Sequence, residues 1–254
     1  MKKVKIAIDI DEVLRAKWIQ FDRYYVEEFG EEGVPDEEDG HPYTQDFFNK
    51  YKWKDIKETI KYLKDPEKTP ETINPLDYQV DENNEANADV ALFKPAETEE
   101  LTAEEVYNRF MYQDYVLELH GTAPVMYKGM EVDFDKFFKK FKDRVEFVII
   151  SKENVFTIPP TLFFLSKMMC RFSDYRFVKS FNDYWFDDID IIITTNPEVI
   201  SCKPKNKKHI KPKRPYNIET NSGEFEDILQ IKDLTDNIKF ENLLEKIEKE
   251  EIIL

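Results

Sequence analysis

The sequence predicts an α/β fold built on a parallel sheet, and three features of the chain support this prediction. Residues 4–10 are a short, mostly apolar run of the kind that is buried in a parallel strand. A short acidic turn follows, and then an amphipathic helical pattern. Further apolar runs at 145–151, 175–181 and 188–194 alternate with helical patterns later in the chain. Strands and helices in this order predict a doubly wound sheet.

The first helix is predicted from large apolar residues that recur at steps of three and four, with charged residues between them. The residues of this apolar face are Leu14, Trp18, Phe21, Tyr25 and Phe29. Gly30 is a typical stop for such a helix. Together with the preceding strand and acidic turn, this helix forms the first unit of the predicted fold.

Later helical segments are predicted at 102–113, 133–142, 159–171, 197–201 and 236–249. Thr102, with Glu105 three residues on, has the form of a capping box. The segment from 159 begins with two prolines, which are favoured in the first turn of a helix. These segments supply the layers that would cover the sheet in a three-layer sandwich.

Residues 31–115 differ in character from the rest of the chain. They are acidic, contain many prolines and show little sustained periodicity. We interpret them as an acidic, partly helical insertion with long loops, placed in a core formed by residues 1–30 and 116–254. By composition alone, parts of this insertion resemble disordered segments.

Composition and charge exclude several classes of protein. A hydrophobic share of 41% and an aromatic share of 14% are sufficient for a packed core. The net charge of −16 argues against general nucleic-acid binding, which needs clustered Lys and Arg. It also argues against anionic membrane surfaces, and the sequence has no apolar run near the ~20 residues of a membrane span.

The cysteines and the N-terminus predict a cytoplasmic protein. Two cysteines do not make a disulfide framework, and Cys170 lies in an apolar helical run that favours a buried, reduced thiol. The N-terminal residues have no signal-peptide pattern. We therefore expect the reducing cytoplasm, which is the host cytoplasm or the virion if a phage encodes the chain.

Asp9 and Asp11 are the residues that most clearly suggest chemistry. They follow the first strand, at the edge where open α/β sheets bind their ligands. Two carboxylates with one residue between them are able to share a divalent cation, and hard oxygen ligands suit Mg²⁺. One carboxylate would attack a phosphoryl group and the other would act as general acid and base. The alternative is an acidic turn that caps a helix beginning near Val13.

Two segments resemble motifs of the haloacid dehalogenase (HAD) superfamily. AIDIDEVL resembles its first motif, and VIIS, ending at Ser151, resembles its second. The resemblance implies a HAD-like Rossmannoid core with Asp9 as nucleophile, Asp11 as acid and base, and both as Mg²⁺ ligands. It also implies that the Ser151 hydroxyl binds the transferring phosphate, and that the insertion corresponds to a cap.

The remaining family motifs are altered in this chain. Lys179 is the best candidate for the family lysine that holds nucleophile and phosphate, and a solvent-facing role fits its predicted strand position equally. The acids expected after the fourth strand are replaced by Thr194, Thr195 and Asn196, so the Mg²⁺ site lacks a charged ligand. Glu12 stands where the family often has glycine.

One basic segment and three histidines complete the list of candidate groups. Residues 203–217 are the only dense basic stretch, which we interpret as a solvated loop or a contact with an acidic subunit rather than a site for phosphates or nucleic acid. His41, His120 and His209 have no metal-ligand spacing, so the sequence assigns them no function.

Two functional hypotheses follow. The first is a Mg²⁺-dependent phosphohydrolase of nucleotidase type, for which the partner is a small phosphorylated substrate. The second is a catalytically degenerate HAD-fold protein that serves as a structural subunit of a phage virion, in its tail or a ring. Here the partners are other protein subunits, with a homo-oligomer as one form. The composition, poor in Gly and rich in Lys, Asn, Ile and Phe, resembles that of proteins from AT-rich phages.

Overall fold

The computed structural model describes residues 3–30, 103–168, 172–221, 223–225 and 228–250. This part of the chain contains a five-stranded sheet with every strand parallel to its neighbours. The α/β class and the parallel sheet are therefore confirmed. In the described ranges no helix is long and apolar enough to cross a bilayer.

The strands lie in the order β3-β2-β1-β4-β5, so the first strand is central. Their bounds are Val4–Asp9 (β1), Val145–Lys152 (β2), Asp174–Val178 (β3), Ile191–Ile193 (β4) and Lys208–Ile210 (β5). The first four correspond to predicted strands. The fifth lies in the basic segment, for which the prediction of a solvated loop is wrong at these residues.

Six α-helices accompany these strands in the described ranges. They are Lys17–Phe29 (α1), Ala103–Arg109 (α2), Met130–Phe141 (α3), Ile158–Ser166 (α4), Pro197–Ser201 (α5) and Ile238–Glu250 (α6). Two π-helical turns, Phe110–Asp114 and Leu117–Gly121, follow α2. Shorter 3₁₀ turns occupy Phe181–Tyr184, Pro215–Asn217 and Ile231–Leu234.

Some predicted bounds are corrected by the structure. Strand β3 ends at Val178, so Lys179 follows the strand rather than lying inside it. The helix predicted at 102–113 is divided between α2 and a π-helical turn. The helix predicted at 159–171 ends at Ser166. Residues 31–102, with the predicted capping residue Thr102, and Cys170 lie outside the described residues.

The larger part of the core packs on one face of the sheet. Ile6 and Ile8 of β1 and Phe147 of β2 point into it, opposite aromatic side chains of α3 and α6. Phe137 is fully buried, and its ring centroid lies 5.3 Å from that of Phe147 and 5.7 Å from that of Phe240. This aromatic layer explains why phenylalanine is so frequent in the chain.

The opposite face carries a smaller cluster. Ala7 and Val148 point into it from the sheet, and Tyr184 and Val199 cover them from the 3₁₀ turn and α5. The sheet is thus covered on both sides, as the near-continuous apolar strands require. The finer prediction, a HAD-type sandwich with a cap, stays a prediction.

A third cluster joins α1 to the segment that begins at residue 103. Phe21 and Tyr25 of α1 pack against Val106 and Phe110, and the rings of Phe21 and Phe110 meet edge to face at 5.2 Å. Residues 103–115, which the sequence analysis assigns to the insertion, are therefore packed against the first helix of the core.

Gly223 closes the outer side of β5. It forms an antiparallel bridge with Ile210 and has a φ of +69°. A Cβ atom at this position would lie 2.5 Å from the carbonyl oxygen of His209. Only glycine fits so close an approach of two backbones.

The strand order places one crevice in the sheet. From β1 the chain passes to β2 and β3 on one side, and it returns to β4 and β5 on the other. Ligands of doubly wound sheets bind at such a reversal, beyond the carboxyl ends of the strands. Ile8 is in register with Ile193, so Asp9 and Thr194 follow at the same level on the two sides of the reversal.

Replacing Phe137 by alanine is expected to lower the free energy of unfolding by about 3–5 kcal/mol, because it opens a cavity in the main core. Urea denaturation followed by circular dichroism measures the change. Val132→Ala, at an exposed position of the same helix, is the matched control and should change stability by less than about 0.5 kcal/mol. Equal losses in the two variants would contradict the core described here.

Candidate functional site

Most of the predicted site residues meet at the carboxyl edge of the sheet. Asp9 is the last residue of β1, Asp11 lies in the turn that follows, and Ser151 lies near the end of β2. All three are almost fully buried, with exposed fractions of 2%, 6% and 1%. Lys179 follows β3 and is exposed, and the hydrogen-bond donors to Asp9 do not include it.

The carboxylate of Asp9 is oriented by three donors. The hydroxyl of Thr194 donates to Oδ2 at 2.7 Å. The backbone N–H of Ile10 and the hydroxyl of Tyr184 donate to Oδ1 at 2.9 and 3.3 Å. Tyr184 is itself fixed, because it accepts a hydrogen bond from the backbone N–H of Lys152 at 2.8 Å. Asp9 thus has a defined orientation but no cation among these partners.

Burial raises the pKa of Asp9 to about 7, and the negative charge of Asp11 contributes to the rise. The hydrogen bonds from Thr194 and Tyr184 act in the opposite direction, because they favour the charged form. Near neutral pH, Asp9 is therefore present both as carboxylate and as carboxylic acid. A pKa in this range suits a group that gains and loses a proton during a reaction.

Asp11 has the opposite environment. Arg15 donates from Nε to Oδ1 at 2.7 Å, and the ammonium of Lys17 contacts Oδ2. Burial alone would raise the pKa of Asp11, but the charges of Arg15 and Lys17 outweigh it and hold the pKa below the ordinary value. Asp11 is thus a permanent anion, which fits the predicted role of general acid less well.

Arg15 links Asp11 to two other parts of the fold. Its guanidinium donates to Glu153 at 3.0 Å, to the hydroxyl of Thr161 at 2.8 Å and to the backbone carbonyl of His120 at 2.6 Å. The side chain is fully buried. Although burial opposes it, the charge of Arg15 lowers the pKa of Glu153. The ion pairs therefore join the turn before α1, the end of β2 and the start of α4.

Ser151 belongs to the same group of buried polar side chains. Its hydroxyl donates to Glu153 Oε1 at 3.0 Å, and that oxygen also accepts from the Thr161 hydroxyl at 2.9 Å. The structure thus places Ser151 where the sequence predicts it, at the end of the second strand. Its hydroxyl proton is directed at Glu153 rather than towards the crevice.

Glu12 bears on the second interpretation of the acidic turn, in which the turn caps the first helix. Helix α1 begins at Lys17, and its N-cap residue Ala16 makes no side-chain cap bond. It is Glu12 that accepts a hydrogen bond from the backbone N–H of Trp18, at 3.2 Å. Burial raises the pKa of Glu12 to about 7. The acidic turn therefore does cap the helix, through Glu12, and the helix begins at Lys17 rather than near Val13.

Glu12 also has a left-handed backbone, with a φ of 60°. Such a conformation in a residue other than glycine marks local strain and is frequent at functional sites. Its carbonyl oxygen accepts a hydrogen bond from Arg214 at 2.7 Å. The side chain is turned towards the start of α1, so its carboxylate does not extend into the space beyond the strand ends.

The loop after β5 holds this edge from the other side. Tyr216 donates to the hydroxyl of Thr195 at 2.9 Å, and the amide of Asn217 donates to the carbonyl of Thr195 at 3.0 Å. The buried ammonium of Lys211 donates to the carbonyl of Asn217 at 2.7 Å. Part of the predicted basic segment is thus structural, and it fixes the residues that follow β4.

His120 is a buried group that the sequence analysis leaves without a function. Its Nδ1 lies 3.5 Å from Glu153 Oε2, and neither ring nitrogen has a hydrogen-bond partner among the described residues. Burial lowers the pKa of His120, so the ring is neutral near pH 7. Its ring stacks on that of Tyr112 at 6.2 Å, and the two residues lie in the two π-helical turns, which are frequent at functional sites.

The residues around Asp9 and Asp11 do not supply the additional carboxylate ligands expected of a Mg²⁺ site. In the part of the chain that the structure describes, no group of three or more His, Cys, Asp or Glu side chains is placed to hold a metal ion. After β4 the chain supplies Thr194, whose hydroxyl donates to Asp9. Both oxygens of Asp11 contact cationic side chains. The Mg²⁺ cofactor stays a prediction.

Comparisons with protein families and with curated sequences assign no family to this chain. Neither a protein-family model nor a curated protein sequence matches the chain. The fold itself defines the class of protein. It is an α/β protein with a parallel five-stranded sheet and a candidate site where the strand order reverses.

Sequence reasoning misses several groups that shape this site. Arg15 and Lys17 look like solvated residues at the start of an amphipathic helix, and nothing in the pattern marks their burial. Tyr184 lies in a short 3₁₀ turn and Glu153 in a loop, where periodicity is uninformative. One available signal is spacing: Arg15 is four residues after Asp11, and such pairs meet whenever the chain turns helically.

Replacing Arg15 by methionine is expected to lower the free energy of unfolding by about 3–5 kcal/mol, because it leaves the Glu153 carboxylate buried and without its cation. Thermal and urea denaturation measure the loss. Arg23→Met is the matched control, since Arg23 forms an exposed ion pair with Glu27 and should contribute less than about 1 kcal/mol. Similar effects in both variants would contradict the buried ion pairs.

Glu12→Gln is expected to change how stability depends on pH. The pKa of Glu12 is raised from 4.5 to about 7, so the folded protein retains a proton that the unfolded chain releases. This contribution to stability is complete at low pH and is lost as the pH rises to about 7. The variant, which keeps the cap and cannot ionise, should gain about 3 kcal/mol over the wild type above neutrality.

Urea denaturation at a series of pH values tests this prediction. The gain in stability of Glu12→Gln should disappear as the pH falls towards 4.5, the ordinary pKa of a glutamate. The exposed control Glu219→Gln should show no such gain. A constant difference at every pH would mean that Glu12 is not held in its neutral form by burial.

Proposed function

We propose that the protein is a HAD-like phosphoester hydrolase whose reaction takes place at the carboxyl edge of the sheet. The observation that carries this proposal is the placement of Asp9, at the end of the central strand beside the reversal of strand order. Its buried carboxyl group, with a pKa of about 7, has the kind of perturbation that clusters at functional sites.

In the proposed reaction an oxygen of Asp9 attacks phosphorus, and the bond from phosphorus to the leaving oxygen breaks. The leaving oxygen takes its proton from water that reaches the edge. A second water attacks the aspartyl phosphate, which releases inorganic phosphate and restores the carboxyl group. Because attack requires the charged form of Asp9, the rate is expected to rise with pH through about 7.

The neighbouring groups support this assignment to different degrees. Thr194 and Tyr184 orient the nucleophile, and Lys17 places positive charge at the neighbouring Asp11. Asp11 is suited to be the fixed anion that holds Lys17, instead of the proton shuttle that the resemblance implies. Phosphate binding by Ser151 and Lys179 stays a prediction, as does the choice of nucleotides as substrates.

Asp9→Asn tests the proposal directly. Wild-type protein is offered para-nitrophenyl phosphate and a panel of nucleoside monophosphates, with and without Mg²⁺, above the pKa of Asp9. Turnover is expected in the wild type and should fall by at least about 1000-fold in the variant, which lacks the nucleophile. Asp143→Asn, at an exposed position, is the matched control and should keep full activity.

Intact-protein mass spectrometry during turnover supplies a second readout. A phosphorylated species is expected in the wild type and should be absent from Asp9→Asn. Turnover that survives unchanged in Asp9→Asn would show that another group performs the chemistry, and the proposed nucleophile would then be abandoned.

A second candidate is the structural subunit of a phage particle, without catalysis. One observation favours it: Asp9, Asp11 and Ser151 are buried, and each is hydrogen-bonded to another side chain of the protein. Light scattering on the purified chain distinguishes the two. A defined homo-oligomer together with no turnover on the substrate panel favours the subunit, whereas turnover that depends on Asp9 contradicts it.

A further inference from the structure

The two oxygens of Asp11 face two different cations of the same turn. Oδ1 receives the guanidinium of Arg15 at 2.7 Å, and Oδ2 contacts the ammonium of Lys17. Arg15 is fully buried, whereas the Lys17 side chain keeps 11% of its surface exposed. Lys17 is therefore the cation at Asp11 that lies nearer to the solvent and to an incoming ion.

The position of Lys17 in the helix points to a role at Asp11 rather than in α1. Lys17 is the first residue of the helix, where the macrodipole disfavours a positive charge, and the first turn contains no acidic residue to offset it. Its ammonium lies 5.0 Å from the centre of the Trp18 ring. The contact with Asp11 and this cation–π contact are the interactions that compensate for the unfavourable position.

The four ionised groups that pair at Asp11 carry equal numbers of negative and positive charges. Asp11 and Glu153 supply two negative charges, and Arg15 and Lys17 supply two positive ones. Asp9 lies beside this group, and its hydrogen-bond donors among the described residues include no cation. A divalent cation at Asp11 would add two positive charges to a balanced group and would need the oxygen that Lys17 contacts.

We infer that Lys17, supported by Arg15, supplies the positive charge that a divalent cation would otherwise bring to Asp11, and that Lys17 and Mg²⁺ compete for the same carboxylate oxygen. Lys17 is thus a positioning residue, which keeps Asp11 charged and fixed beside Asp9. This inference goes beyond the proposed reaction, because it concerns the balance of charge at Asp11 whatever chemistry the site performs.

Calorimetric titration of the full chain with MgCl₂ tests the inference without any measurement of activity. Lys17→Met is expected to bind Mg²⁺ at least about tenfold more tightly than the wild type, because it removes the ammonium, and its positive charge, that contacts Asp11 Oδ2. Adding Asp11→Asn to Lys17→Met should abolish the gain. Lys17→Arg, which keeps the charge, should bind Mg²⁺ as weakly as the wild type.

Lys128→Met is the matched control, because it removes one exposed lysine and so lowers the net charge equally. It should leave Mg²⁺ affinity unchanged. Equal affinity in the wild type and in Lys17→Met, or an equal gain in Lys128→Met, would overturn the inference.

A measurement on the wild type keeps the inference testable should Lys17→Met not fold. The NMR signal of the Lys17 ammonium, assigned by its loss in Lys17→Arg, is expected to exchange slowly with water, because the ammonium is held against Asp11. Exchange as fast as that of an exposed lysine would show that Lys17 does not occupy Asp11.

Discussion

The buried ion pairs of Arg15 with Asp11 and Glu153 determine how the rest of the site is arranged. Arg15 has no access to solvent, so its charge is tolerable only if its partners surround it. Those partners come from the turn after β1, the residue after β2 and the first turn of α4. The sheet edge and the covering helix are therefore held in one geometry by electrostatics as well as by apolar packing.

These ion pairs also cause two neighbouring carboxyl groups to have different pKa values. Asp9 and Asp11 are chemically identical and have only one residue between them, yet burial without a cation raises the pKa of Asp9, and two cations lower that of Asp11. Separation of this kind is how proteins assign different protonation states to paired acids near neutral pH. The proton-exchanging member is the one at the end of the central strand, where the sheet opens towards a ligand.

The sequence was sufficient for the central sheet but insufficient for its surroundings. Strands β1 and β2 are readable because a buried parallel strand is almost continuously apolar, and Asp9 is readable as the acid that ends one. Strand β5 was missed, because it is three residues long and flanked by lysines whose amines bond to backbone carbonyls. The burial of a cation such as Arg15 leaves no hydrophobic pattern in the sequence, since only tertiary contacts make it possible.

The bridge between Gly223 and Ile210 has a consequence for how copies of this chain meet in solution. An open strand edge is a template on which further strands add, and parallel sheets have two such edges. On one side the backbone at Gly223 lies against β5, so tightly that no side chain fits. On the other, β3 has Arg176 at its centre, held between Asp174 and Asp188. Both margins of the described sheet thus discourage aggregation by strand addition.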